Sequence, residues 1–222
     1  MARTEYQRRL EALREEVLRM GEVVRERLDI ALRALAERNE ELGREVIERD
    51  AEVNELYLDL ERECMDLIAL QQPVAGDLRF VTASFKIITD LERIADLATN
   101  LGEYAGRAKH EIYPDIDVIH IGERATEALA EAMTAYADED VTTCYEIARR
   151  DDGIDDLCER ASELVIRDLI DTEGNNAETE RLFSEVSRLL LAVRDLERVG
   201  DHAVNIAART LYMIESDDEL IY

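Results

Sequence analysis

Eleven residues, Asp90 to Asn100, return as Asp195 to Asn205. Asp-Leu-Glu-Arg-Ile-Ala-Asp-Leu-Ala-Thr-Asn and Asp-Leu-Glu-Arg-Val-Gly-Asp-His-Ala-Val-Asn share seven positions. Internal self-similarity of this kind means that one structural unit is built twice, which limits the folds open to the chain. The repeat extends beyond the motif. At a constant offset of 101, Ala31, Ala34 and Ala36 meet Ala132, Ala135 and Ala137. Asn39 meets Asp140, and Glu45, Arg49, Asp50 and Leu56 meet Glu146, Arg150, Asp151 and Leu157. The motif itself repeats at an offset of 105, so four residues are added between Asp171 and Glu180, where Gly174, Asn175 and Asn176 read as a surface loop.

Each unit reads as helices. Pro73 and Pro114 are the only prolines among 222 residues, and long Glu/Arg/Leu/Ala stretches show few β-branched alternations. Leu10, Leu13, Val17, Met20, Val24, Leu28, Ala31 and Leu35 keep the spacing of one long amphipathic helix from about residue 4 to 38. Asn39 caps a second helix through Leu67, Pro73 and Gly76 mark a turn, and a third helix carries Leu78 to about Arg107. The expectation is an all-α fold of two tandem antiparallel three-helix bundles, residues 1–112 and 113–222, each large enough to bury a core. The first helix is much longer than the fourth, so its N-terminal surplus has to dock on the other half or on a second subunit.

The net charge of -26 argues against direct binding of nucleic acid or anionic membrane. Lys86 and Lys109 are the only lysines, and so acidic and lysine-poor a surface suggests adaptation to concentrated salt. No apolar run approaches the roughly 20 residues of a membrane span and the N-terminus lacks a signal-peptide core, so the expected location is cytoplasmic. Cys64, Cys144 and Cys158 form neither a disulfide framework nor a zinc-type spacing and read as core or semi-buried thiols.

Within each motif an acid, an acid and an amide stand four residues apart: Glu92, Asp96, Asn100, then Glu197, Asp201, Asn205. On a helix this spacing stacks three oxygen-bearing side chains on one stripe. Residues equally far from a hairpin turn lie level on its two helices. Asp50 and Asn54 therefore stand opposite the first stripe, and Asp151 and Asp155 opposite the second. Glu92 and Asp96 sit roughly 80° and 120° from the apolar seam of their helix, and Asp50 and Asn54 at similar angles from theirs, so the facing stripes point both toward one another or both away. If toward, each bundle carries a flank of oxygen ligands suited to hard ions such as Mg²⁺, Mn²⁺ or iron. A solvated acidic face is the competing reading. Arg93 and Arg198 are expected to pair with Asp90 and Asp195 three residues earlier. His202, which faces Leu97 in the repeat, reads as an incidental polar-face residue.

With these residues in view, the sequence resembles the PhoU family of phosphate-signalling regulators. Asp77-Leu78-Arg79 with Lys86 to Asp96 is similar to the family's first signature, and Asp195 to Ala207 to its second. The resemblance implies paired three-helix bundles, often dimeric, whose Glu/Asp-x-x-x-Asp motifs hold multinuclear iron, zinc or other metal clusters. By position it makes Glu92, Asp96, Glu197 and Asp201 the leading ligands, followed by Asp50, Asn54, Asp151, Asp155, Asn100 and Asn205. It further implies negative regulation of high-affinity phosphate uptake through contacts with components of a phosphate ABC transporter and, in bacteria, a sensor histidine kinase. Two departures stand out: Ala95-Asp96-Leu97 replaces the commoner Gly-Asp-His, and Leu182 and Ser184 occupy the second-half positions of Asp77 and Arg79.

Two other classes compete. A ferritin-like di-metal oxidase or metal store would use Glu-x-x-His pairs facing a bundle core, and none of His110, His120 or His202 has Glu three residues before it. A plain helical scaffold would tolerate loss of Asp96 and Asp201. The sequence reading favours a regulatory adaptor, not an enzyme.

Overall fold

The computed structural model describes residues 3–70, 74–107, 117–171 and 176–221. Seven helices account for nearly all of them: α1 (Arg3–Glu37), α2 (Glu40–Glu48), α3 (Asp50–Leu70), α4 (Ala75–Arg107), α5 (Val118–Asp138), α6 (Val141–Asp171) and α7 (Asn176–Glu215). α1, the α2–α3 pair and α4 form the first three-helix bundle, and α5, α6 and α7 the second. α4 and α7, which carry the two motifs, pack on each other and join the bundles into one core. The Pro73 turn, the 112/113 boundary with Pro114, and Gly174 and Asn175 of the added loop lie outside the described residues. Asn176, read as loop, begins α7.

The repeat is reproduced at the level of caps. Asn39 Oδ1 accepts from the N–H groups of Glu41 and Leu42 at 3.0 and 3.2 Å, and Asp140 Oδ1 from those of Thr142 and Thr143 at 2.9 and 3.3 Å. Before each cap, Arg38 (φ 50°) and Glu139 (φ 55°) adopt the left-handed conformation that ends a helix. Asn39 N–H then reaches Ala34 O at 2.9 Å, and Asp140 N–H reaches Ala135 O at 3.0 Å.

Three local expectations need correction. The second helix is not continuous in the first half: it breaks at Arg49, whose N–H turns back to Glu45 O and Ile47 O. The break adjoins Arg27, a buried arginine on the apolar stripe of α1, whose Nη2 donates to Glu52 Oε2 at 2.7 Å in the first turn of α3. The residue repeating Arg27 is Ala128, which offers no such tie, and α6 runs through. His202 is not incidental either. It is buried between α7 and α4, with Nδ1 2.9 Å from Asp90 Oδ1. Asp90 therefore pairs across the bundle interface and not with Arg93, whereas Arg198 does approach Asp195, at 3.8 Å.

The surplus of α1 docks within the chain. Tyr6, Leu10 and Leu13 are buried, Arg9 forms a two-pronged pair with Glu63 on α3, and Arg14 donates to Glu139 Oε1 at 2.5 Å at the end of α5. The three cysteines are buried free thiols, each pushed up by burial, Cys64 and Cys158 to about 12 and Cys144 to about 11. That places them outside thiolate chemistry at neutral pH.

Candidate metal centre

The stripes of each bundle face one another. In the first bundle Thr99 Oγ1 on α4 donates to Asp50 Oδ1 on α3 at 3.2 Å, which ties the two helices at the height expected from the sequence. Asn54 Nδ2 donates to the other oxygen of Asp50 at 2.9 Å, so both carboxylate oxygens have a partner. Glu92 and Asp96 complete the group. Burial raises the pKa of both, and Asp50 raises them further, with Asp96 adding to the shift of Glu92. Asn100 is half-buried on the same stripe, with no hydrogen bond that draws it into the cluster.

In the second bundle Asp151 and Asp155 on α6 meet Asp201 on α7, and one oxygen from each lies within 4.8 Å of the others. Glu197 stands close enough that its carboxyl is raised by burial and then by Asp155 and Asp201. Asp151 is pushed up to about 7, by burial first and then by the charges of Asp155, Asp201, Asp152 and Glu197. Asp155 is raised by burial and by Asp201. Gly200 makes room for this packing, because a Cβ there would stand 3.2 Å from Asp151 Oδ1 and 3.3 Å from Ile154 Cδ1. Asn205 is exposed at the end of the stripe.

Four carboxylates share the second set with no hydrogen-bond donor to Asp151 among the described residues. Such a group lowers its free energy by taking up protons or a cation, and an all-oxygen donor set fits hard ions such as Mg²⁺, Mn²⁺ or ferric iron. The residues present therefore fit a metal. Among the described residues no histidine is grouped with either set, and His202 bonds Asp90, so the arrangement lacks the Glu-x-x-His ligands of ferritin-like oxidases.

Sequence reasoning missed Thr99 and Gly200 as parts of these sites. Thr99 stands one turn past Ala95 on the motif helix, and the Ala95/Gly200 difference within the repeat was the available signal for the second.

Fold and side-chain clusters together define an internally duplicated helical-bundle protein with two related groups of carboxylates and amides. The sequence matches the PhoU domain over residues 17–105 and again over 118–210. The chain belongs to the PhoU family. It is 34% identical over 212 residues, 94% of either chain, to the phosphate-specific transport system accessory protein PhoU homolog 1 of Methanothermobacter thermautotrophicus. It is 32% identical to the PhoU homolog of Pseudomonas aeruginosa, over 94% of this chain and 85% of that one. Among solved structures it superposes on PhoU from Pseudomonas aeruginosa with a TM-score of 0.87 at 29% identity, covering 96% of this chain and 100% of the other. The phosphate transport system regulatory protein PhoU from Streptococcus pneumoniae gives the same TM-score at 25% identity. The family is one of regulatory accessory proteins, not enzymes.

Proposed function

We propose that this chain is a cytoplasmic regulator of phosphate homeostasis that restrains high-affinity phosphate transport by docking its helical faces on transporter components. Full-length likeness to accessory proteins of phosphate-specific transport carries this reading. Among the described residues no helix is long and apolar enough to cross a membrane, so attachment to a transporter would run through protein contacts. The partner favoured is the transporter itself, ahead of a sensor kinase, and the working form is a homodimer.

The reading includes metal. Asp151, Asp155, Glu197 and Asp201, with Asn205 beside them, would hold an ion in the second bundle. Asp50, Asn54, Glu92, Asp96 and Asn100 would do so in the first. The metal would neutralise the clustered carboxylates and clamp α3 to α4 and α6 to α7. Its identity is left among iron, zinc, manganese and magnesium. The surface charge suits concentrated salt, and dilution into low salt is expected to lower the melting temperature.

The test pairs a metal assay with a cellular one. Protein purified in high salt without added metal is assayed for metal content and oligomeric mass, as wild type and as Asp96→Asn/Asp201→Asn. In a strain lacking the gene, both forms are tested for restraint of phosphate uptake. Loss of metal together with loss of restraint supports the whole reading. Restraint that survives loss of metal would separate regulation from metal, and equal metal content in both proteins would remove the carboxylate sites.

A further inference from the structure

The Asp77-Leu78-Arg79 segment has no counterpart in the second half, where Leu182 and Ser184 stand, and neither carboxylate set uses it. It lies at the start of α4, where α1, the α5–α6 turn and the end of α7 converge around a half-open cavity of about 620 Å³. Leu10, Phe80 and Met213 give the cavity an apolar lining, and Arg14 and Arg79 bring two guanidinium groups to it. A Cβ at Gly76 would meet nothing within 4 Å, so this side is open.

The two arginines differ in how far they are satisfied. Arg14 is engaged: it donates to Glu139 Oε1 and to Ala137 O, and lies 5.1 Å from the centre of the Phe80 ring. Arg79 makes no hydrogen bond or ion pair among the described residues, and its Nε is closed off from solvent with no acceptor. A guanidinium has five donors, and withdrawing it partly from water without acceptors is unfavourable. Asp77, two residues earlier on the helix, borders the same cavity but does not bond Arg79.

We propose that this cavity binds a small organic oxyanion, a phosphate or a carboxylate, whose oxygens accept from Arg79 and whose apolar portion lies on Leu10, Phe80 and Met213. The planar fork of Arg79 matches either oxyanion, and the volume is that of a small-molecule pocket, larger than a bare ion needs. Glu11, Asp77 and Glu139 border the same space, so the ligand carries a single anionic group and not a polyanion. The proposal does not depend on the metal reading.

The test uses the full chain, stripped of metal by chelation and dialysed free of chelator, so that the carboxylate sets cannot bridge to an anion. At fixed ionic strength it is titrated calorimetrically with phenyl phosphate, benzoate and neutral benzyl alcohol. Saturable binding of one anion per chain is expected, with the two anions compared to say which oxyanion is preferred. Arg79→Met should weaken it by roughly tenfold or more. Arg79→Lys, which keeps the charge and loses the fork, should give an intermediate affinity, and Arg167→Met, at an exposed position on α6, should leave binding unchanged. Circular dichroism checks that each variant is folded, and the Lys variant carries the test if the Met variant is not. The proposal is overturned if neither anion saturates in the millimolar range, if benzyl alcohol binds as well as they do, or if binding survives both changes at Arg79 intact.

Discussion

The two carboxylate sets occupy corresponding places in corresponding bundles, yet three substitutions give them different electrostatics. Asn54 in the first becomes Asp155 in the second, Thr99 becomes Val204, and Ala95 becomes Gly200. In the first set the amide of Asn54 and the hydroxyl of Thr99 satisfy both oxygens of Asp50. In the second, Asp155 adds a charge where the amide stood, Val204 cannot donate, and Gly200 lets Asp151 settle against α7. The consequence is an Asp151 pushed up to about 7. Duplication has copied the scaffold and the height of the acidic stripes, while single side chains decide how the charge of each set is met.

The largest expected effect concerns the interface between the copies. His202→Leu makes α7 resemble α4 at this position and leaves Asp90 buried without its partner, which should cost about 3 kcal/mol in urea unfolding. A loss within error of zero would show that the pair contributes nothing to holding the bundles together.

The next effect is the response to pH of metal-free protein. The folded-state pKa of Asp151 is raised above its unfolded value of about 3.9, so the native state holds more protons between the two. The contribution of this group to stability is full below about pH 4 and is lost as pH rises through about 7. Asp151→Asn should flatten that slope strongly, whereas Asp50→Asn should change it only slightly, by removing the charge that raises Glu92 and Asp96. Thermal melts across the range check this, and equal slopes for the two variants would erase the distinction between the sets.

Smaller effects test the individual substitutions. Gly200→Ala introduces a Cβ 3.2 Å from Asp151 Oδ1 and should weaken metal binding in the second bundle several-fold, a shift of about 1 kcal/mol, with the first bundle unaffected. Competitive chelator titration reads both. Thr99→Val, which copies Val204, removes one donor from Asp50 and should destabilise the metal-free protein by about 1 kcal/mol. A stabilised Thr99→Val variant would mean that the hydroxyl does not support Asp50.

Much of this arrangement was legible in the chain because helical periodicity and duplication are local and repetitive. The spacing of Glu92 and Asp96, and equal distance from the turn for Asp50 and Asn54, placed the clusters correctly in height. Whether the stripes faced each other was not legible, since equal angular offsets allow both senses. The Asp90–His202 pair was hidden because its residues lie 112 positions apart on different helices. Arg27 sat on the apolar stripe of α1 three residues after Val24, a position that could have marked it as buried, but its partner Glu52 is across the α2–α3 break.

By itself, then, the sequence determined two helical units, their caps at Asn39 and Asp140, and oxygen-bearing side chains at one level of each, because all of these follow from spacing along a helix. Tertiary structure alone decided which faces met. Side-chain hydrogen bonding and burial depend on the rotation and separation of packed helices, and so Thr99 reaching Asp50 emerges only once α4 packs on α3, Gly200 admitting Asp151 once α7 packs on α6, and His202 closing on Asp90 once α4 and α7 meet in the shared core.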